Sequence, residues 1–366
     1  MHPLVQHKFH HRLGAQFVEF NGAEAVGHYG DPLAEHAALR NSAGVLDLSF
    51  RGQLCLTGAD RVRFLNGQVT NDVKSLRTGE GCYAALVTAK GKMQSDLNIY
   101  CLQDELLLDF EPGLTATVLQ RLEKYIIADD VQVVDVAGHY GLLSVQGPQA
   151  DAVVRGLGLS NDLPATPFSF VKVADATLGE IYLMNQPRLR TSGFDLCVPT
   201  AALGAVADKL IAALKSAGGC ACGWQALEMA RIEAGIPRFG ADMDETNIPL
   251  EAGLENRAVS FTKGCYIGQE VIARIRTYGH VAKALRGLRL ACDLKTLPVK
   301  GDKLFHAGKE VGYVTSALAS PMYQATIALG YVRREHNQIG TELLLRLADV
   351  ESRVQIVELP FNLKNA

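Results

Sequence analysis

No apolar run in the 366-residue chain approaches the roughly 20 consecutive residues that a bilayer-spanning helix requires, and the longest candidate, 201–214, is broken by Asp208 and Lys209. No membrane segment is expected. The opening residues, MHPLVQHKFHHRLG, hold neither an apolar core nor a small-residue cleavage site, so no secretory leader is expected either. Excess charge is missing too. Lys and Arg number 36 against 39 Asp and Glu, a net of −3, which argues against a protein-wide nucleic-acid surface. Cysteine is scattered over positions 55, 82, 101, 197, 220, 222, 265 and 292, and only Cys220 and Cys222 are close. Their C-x-C spacing misses the C-x-x-C zinc and redox patterns, no H-x-x-x-H pair accompanies them, and no metal site is expected. In a chain of this length such scatter fits reduced thiols in a cytoplasmic compartment better than a disulfide framework. His7, His10 and His11 read as a solvated tail. Without a G-x-G-x-x-G, P-loop, G-x-S-x-G or H-E-x-x-H motif, nucleotide-binding, α/β-hydrolase and zincin readings have no support.

What is present is the composition of a globular protein, 48% hydrophobic and 20% charged. The length suits two or three packed units. The alternating stretches LNIYCLQ, ELLLDFE and YGLLSVQG predict half-buried strands. Leu114, Val118, Leu122 and Ile126 recur at helical spacing, as do Leu203, Val206, Leu210 and Leu214. A further helix is expected from Trp224 to about Ala234, stopped by the GIP that follows. The irregular mixture favours an α+β fold over a doubly wound sheet. After about Lys283, short strands at close spacing predict a separate C-terminal β-barrel or sandwich.

Four segments carry possible chemistry. In FTKGCYIGQEVIAR, Cys265 precedes a predicted helix start, near the Lys263 cation and between glycines, conditions that favour a thiolate. The bland alternative is a small buried hydrophobe. In GCYAALVTAKGKMQSDLNIY, Asp96 follows a Lys-Gly turn at a strand start and Tyr83 offers a ring and a hydroxyl. Their ordinary fates are a solvated or turn-capping acid and a core tyrosine. In RIEAGIPRFGADMDETNIPLEAGLE, Glu251 stands between IPL and AGL, and a carboxylate in apolar surroundings needs a partner. An edge with two adjacent N–H donors, such as that of a pterin, would serve, and so would an internal arginine. Finally, no acid interrupts the cations Arg274, Arg276, Lys283, Arg286 and Arg289, which form either a solvated connector or a seat for an anion.

The octapeptide KGCYIGQE resembles the K-G-C-[FY]-x-G-Q-E signature of the YgfZ-type folate-binding proteins, relatives of the glycine cleavage T-protein and of a mitochondrial iron–sulfur assembly factor. The segments GVLDLSFRGQLCLTGADRVRFLNGQVTND, GCYAALVTAKGKMQSDL, LLSVQGPQA, RIEAGIPRFGADMDETNIPLEAGLE and AGKEVGYVTSALASP follow in the family's order, from about residue 40 to 335. The resemblance implies a T-protein-like folate-binding core over 1–282, with lobes of about 40–140 and 141–282, and a C-terminal β-barrel over 283–366. It implies tetrahydrofolate as the bound cofactor, with Glu251 on the pterin and Tyr83, Arg231 and Arg274 as further folate contacts. Cys265, Lys263 and Asp96 are the implied catalytic set. The T-protein carries an aspartate pair where this chain has Ser95-Asp96, which weakens an aminomethyltransferase reading. The resemblance therefore points first to support of iron–sulfur cluster assembly or repair in client enzymes, including tRNA-modifying ones. A folate-dependent aminomethyltransferase or demethylase is the alternative.

Overall fold

The computed structural model describes residues 2–160, 162–291, 294, 296–347 and 351–362. Backbone contacts divide the chain into two units, residues 1–86 with 95–230, and residues 87–94 with 231–366. Among the described residues no helix is long and apolar enough to cross a membrane.

The first unit is built on two sheets. One has five strands in the order Gly81–Val87, Met93–Cys101, Leu106–Phe110, Gly52–Thr57 and Gln132–Asp135. Side chains alternate across a strand, so Leu97 and Ile99 face one way while Asp96, Asn98 and Tyr100 face the other. The first set joins Leu54, Leu108 and Phe110 beneath the helices Arg61–Gln68 and Thr115–Glu123. The predicted helix at 114–126 is therefore present but shorter, with Leu114 as its N-cap and Ile126 beyond its end. The second sheet has six strands in the order Phe170–Asp175, Gly179–Asn185, Gly193–Pro199, Tyr140–Gln146, Gly44–Asp47 and Cys220–Ala221. Its Leu143, Val145, Leu196 and Val198 pack on the helices Ala150–Arg155 and Leu203–Ser216. The other faces of the two sheets share one core, in which Cys55, Tyr100 and Leu107 meet Leu46, Leu142, Met184 and Cys197. The unit is thus layered helix, sheet, sheet, helix.

Of the three N-terminal histidines expected in a solvated tail, His11 is exposed and His7 partly so, while His10 corrects the expectation. His10 is 4% exposed; its Nε2 lies 2.7 Å from Asp47 Oδ2 and its Nδ1 accepts from the Tyr29 hydroxyl at 2.7 Å. The cause is Asp47, which ends a fully buried strand and needs a polar partner there.

The second unit contains a closed barrel of six strands, Lys283–Leu290, Ala325–Arg333, Lys309–Ser320, Lys303–His306, Glu342–Arg346 and Glu351–Val357, the last pairing back to the first. Leu288, Leu304, Val314, Ala328, Val332 and Ile356 fill its interior. The alternate residues Ile327, Leu329 and Tyr331 point outward, where Ile232, Leu285 and Phe361 cover them. The α+β class and the C-terminal β-barrel expected from the sequence are both observed.

Candidate functional site

In the first unit the polar residues sit on the sheet face that looks toward the second sheet. The Tyr83 hydroxyl, from strand 81–87, donates to Asp96 Oδ2 at 2.7 Å. Burial, followed by the nearby Glu111 carboxylate, pushes the Asp96 carboxyl up to about 6, against the Tyr83 hydrogen bond and the Arg51 charge. A strand-end acid in water would have none of this perturbation, so Asp96 is not an ordinary solvated acid. Ser95, in the place of the second acid, is fully buried and donates to the Asp96 carbonyl at 2.9 Å.

Behind Asp96 lies an ion network. Arg51 grips Asp109 through Nε at 2.7 Å and Nη2 at 3.1 Å, and its Nη1 also donates to Glu111. Asn98 Nδ2 adds a bond to Asp109 at 2.7 Å. Arg188 takes Asp195 of the second sheet through Nε at 3.0 Å and Nη2 at 2.6 Å, and reaches Asp109 at 3.4 Å. Burial pushes the Asp109 carboxyl up, but Arg51 and Arg188 outweigh it and hold it below the ordinary range. The sequence reading missed Arg51, Asp109, Glu111, Arg188 and Asp195. A signal existed in the single acids inside otherwise apolar strands, in ELLLDFE and GFDLCV.

In the second unit the AKGK and YIGQ segments meet at their glycines. Gly268 adopts φ +86°, and a Cβ there would lie 2.5 Å from the Thr88 carbonyl oxygen. At Gly91, with φ +70°, a Cβ would lie 3.3 Å from Val271 Cγ1. Both glycines are therefore needed for one close approach. The same 87–94 turn is tied to the segment before Glu251, with Lys92 Nζ donating to the Thr246 carbonyl at 2.5 Å and the Met93 N–H to the Asn247 carbonyl at 2.9 Å. Glu251 is 6% exposed. Its Oε2 accepts from the Ile248 N–H at 3.1 Å. Among the described residues no cation pairs with it and Oε1 makes no hydrogen bond. The internal arginine that would have explained this carboxylate is thus not there.

Arg231 is buried, paired with Asp242, and its Nη2 donates to Ser316 Oγ at 2.9 Å. A bulge between Val314 and Ser316 turns consecutive hydroxyls the same way, so Thr315 at 2.6 Å and Ser316 at 2.7 Å both donate to Asp242 Oδ1. Lys263 is buried with Nζ 5.0 Å from the Tyr266 ring centre. Cys265 is exposed and precedes the N-cap Gly268 of the helix Gln269–Tyr278 by three residues. Arg274 is exposed, 3.7 Å from Glu270 one turn earlier. Three of the other four cations have separate partners: Arg276 stacks on Phe261 at 3.7 Å, Lys283 donates to the Tyr313 hydroxyl at 2.9 Å, and Arg286 to the Asn337 carbonyl at 2.9 Å.

Comparison with known proteins gives one consistent result. Residues 6–263 match the family described as the GCVT N-terminal domain, and residues 283–362 match the glycine cleavage T-protein C-terminal barrel domain. An aminomethyltransferase of Geobacillus thermodenitrificans is 31% identical over 353 residues, 96% of this chain and 95% of its own. One from Halalkalibacterium halodurans is 28% identical over 351 residues, again 96% and 95%. The crystal structure of glycine cleavage system aminomethyltransferase T from Bartonella henselae matches with a TM-score of 0.88 and 25% identity, covering 99% of this chain and 98% of that one. These near-full-length relatives overturn the first-choice expectation of iron–sulfur cluster support, and the client and tRNA partners expected with it. That expectation leaned on the octapeptide 263–270 and on the missing second acid. Packing accounts for the octapeptide's Gly268, and Asp96 has a raised carboxyl with Ser95 in place of the second acid.

Proposed function

The chain belongs to the glycine cleavage T-protein family, and we propose on that premise that it is a tetrahydrofolate-dependent aminomethyltransferase. The family uses tetrahydrofolate. The observation that carries the reading is the Tyr83–Asp96 pair, a carboxyl raised to about 6 and held by a phenol at 2.7 Å. Passing the methylene of a thiol-borne aminomethyl group to tetrahydrofolate breaks its C–S and C–N bonds and forms two C–N bonds to the folate, so two folate nitrogens each lose a proton while the carrier sulfur and the departing ammonia each gain one. Asp96 is suited to both, because a group titrating near the working pH exchanges protons in either direction at little cost. Tyr83 fixes the carboxyl's orientation and, as a hydrogen-bond donor, steadies its ionised form.

The residues of the second unit suit a folate. Glu251 presents an oxygen with no protein partner, and the buried Tyr331 hydroxyl, also without a hydrogen bond, feels the Glu251 charge. A polar group left without a protein partner calls for one, and the edge of a ligand would supply it here. Glu251 is assigned the pterin, Arg231 the support of that wall through Asp242, and Arg274 the anionic tail. Cys265 is assigned to the surface that receives the protein carrying the aminomethyl donor, which accords with the exposure of the thiol, and the buried Lys263 to the support of that segment from beneath. The segment 263–270 supports placement in the YgfZ-type branch, as a statement of ancestry. A folate-binding core over 1–282, a barrel over 283–366 and a cytoplasmic location belong to the same proposal; the free thiols at the described cysteines support the last. The test is tetrahydrofolate-dependent release of ammonia from a carrier-borne aminomethyl group, with Asp96→Asn as the comparison.

A further inference from the structure

The register of the first sheet makes a demand on Asp96 that its role alone does not explain. Asp109 is the common partner of Asn98 on one neighbouring strand and of Gln53 on the other. The strand Leu106–Phe110 ends one residue before Glu111, and carrying both pairings past that end points Glu111 toward Asp96 on one side and toward Arg51, its hydrogen-bond donor, on the other. Because side chains repeat every two residues, this row shares its face with Asn98, Asp109 and Gln53. Directly opposed residues of an antiparallel pair bring their Cβ atoms to about 5 Å, and like charges placed so are destabilising. Glu111 is 7% exposed, so water screens little of its charge. Its side chain is held in place by Arg51, which is itself anchored on Asp109 by two bonds at 2.7 and 3.1 Å.

We propose that Glu111 is a positioning residue for the transfer reaction, a fixed second carboxylate that keeps a proton on Asp96. The inference rests on the aminomethyltransferase reading for its purpose but not for its geometry. The groups facing Asp96 within its unit are Tyr83 on one side, Glu111 on the other, and Arg51 and Asp109 beyond. Tyr83 and Arg51 favour the ionised carboxylate and Glu111 disfavours it. The Arg51 charge is shared between Glu111 and Asp109, so it cannot cancel Glu111 at the Asp96 carboxyl. Two neighbours therefore act on one proton in opposite directions.

That opposition supplies the experiment. In protein labelled with 13C at aspartate side-chain carboxyls, with the Asp96 signal identified by its loss in Asp96→Asn, the midpoint of the titration is followed without any ligand. Glu111→Gln should lower the midpoint by roughly one pH unit, and Tyr83→Phe should raise it. In the unaltered protein, glutamate labelling should show the Glu111 carboxyl signal responding at the Asp96 midpoint, a readout that stands even where Glu111→Gln does not fold. A midpoint unmoved in folded Glu111→Gln, or a Glu111 signal blind to the Asp96 titration, would overturn the proposal. The pH profile of transfer should move with the midpoint. Midpoints that move as expected without transfer activity in any variant would sink the aminomethyltransferase reading and leave the Glu111–Asp96 coupling standing.

Discussion

A carboxyl raised to about 6 in the folded chain, against about 3.9 unfolded, binds its proton more tightly when folded. Between those values the native state holds the extra proton, so stability falls as pH rises through the window. A gap of about two pH units between the folded and unfolded carboxyl corresponds to about 2–3 kcal/mol that Asp96 costs the fold above that window. Asp96→Asn keeps the shape and can still accept from Tyr83. It should therefore unfold later than the unaltered protein at about pH 8 by that amount, and at nearly the same point at about pH 3. Denaturant titration at the two pH values checks this, and equal stabilities at both would mean that Asp96 is not perturbed. Glu251 presents the complementary case, a carboxylate only 6% exposed whose Oε1 makes no protein hydrogen bond and is proposed to meet the pterin. Glu251→Gln removes the charge from contacts worth about 1.5–3 kcal/mol each, so tetrahydrofolate affinity should fall at least about tenfold by calorimetry. The sequence allowed Glu251 to be singled out because its apolar neighbours are contiguous with it. Asp109 and Glu111 escaped because their partners, Arg51 and Arg188, are distant in the chain.

Helices and strands were legible wherever a period was long enough to count. The spacing of Leu203, Val206, Leu210 and Leu214 marks the helix Leu203–Ser216, and all four are buried in it. Sheet pairing was not legible, since strand 106–110 pairs with both 93–101 and 52–57, and nothing local to ELLLDFE names those partners. The glycine of YIGQ is another such case. Taken alone it suggests openness around Cys265, whereas its φ of +86° and the Thr88 oxygen make it a docking point for the 87–94 turn. Gly264, one residue before the cysteine, meets nothing within 4 Å and has no positive φ. Gly268→Ala should therefore cost about 2 kcal/mol or more, from backbone strain and the close contact together. Gly264→Ala should leave the melting temperature within the ordinary scatter of a surface change. Parallel thermal melts of the two variants decide it, and equal losses would remove the special role of Gly268.

At the scale of the whole chain, composition and the resemblance of ordered segments were enough for the α+β class and the C-terminal barrel, because both depend on local pattern. The activity was not legible in the same way. One motif and one missing acid stand out locally, while the similarity to aminomethyltransferases is spread over the full length. The missing acid matters less than it seemed, since Glu111, one residue past the strand Leu106–Phe110, is proposed to supply a second carboxylate beside Asp96. The central claim is that Asp96 moves protons during tetrahydrofolate-dependent aminomethyl transfer. Its most direct test is ammonia release from a lipoyl-carrier-borne aminomethyl group, measured with and without tetrahydrofolate for the unaltered protein and for Asp96→Asn. Release should require tetrahydrofolate and fall by roughly a hundredfold or more in the variant, while folate binding persists. Release that is absent in the unaltered protein under saturating folate, or equally fast in Asp96→Asn, would contradict the claim.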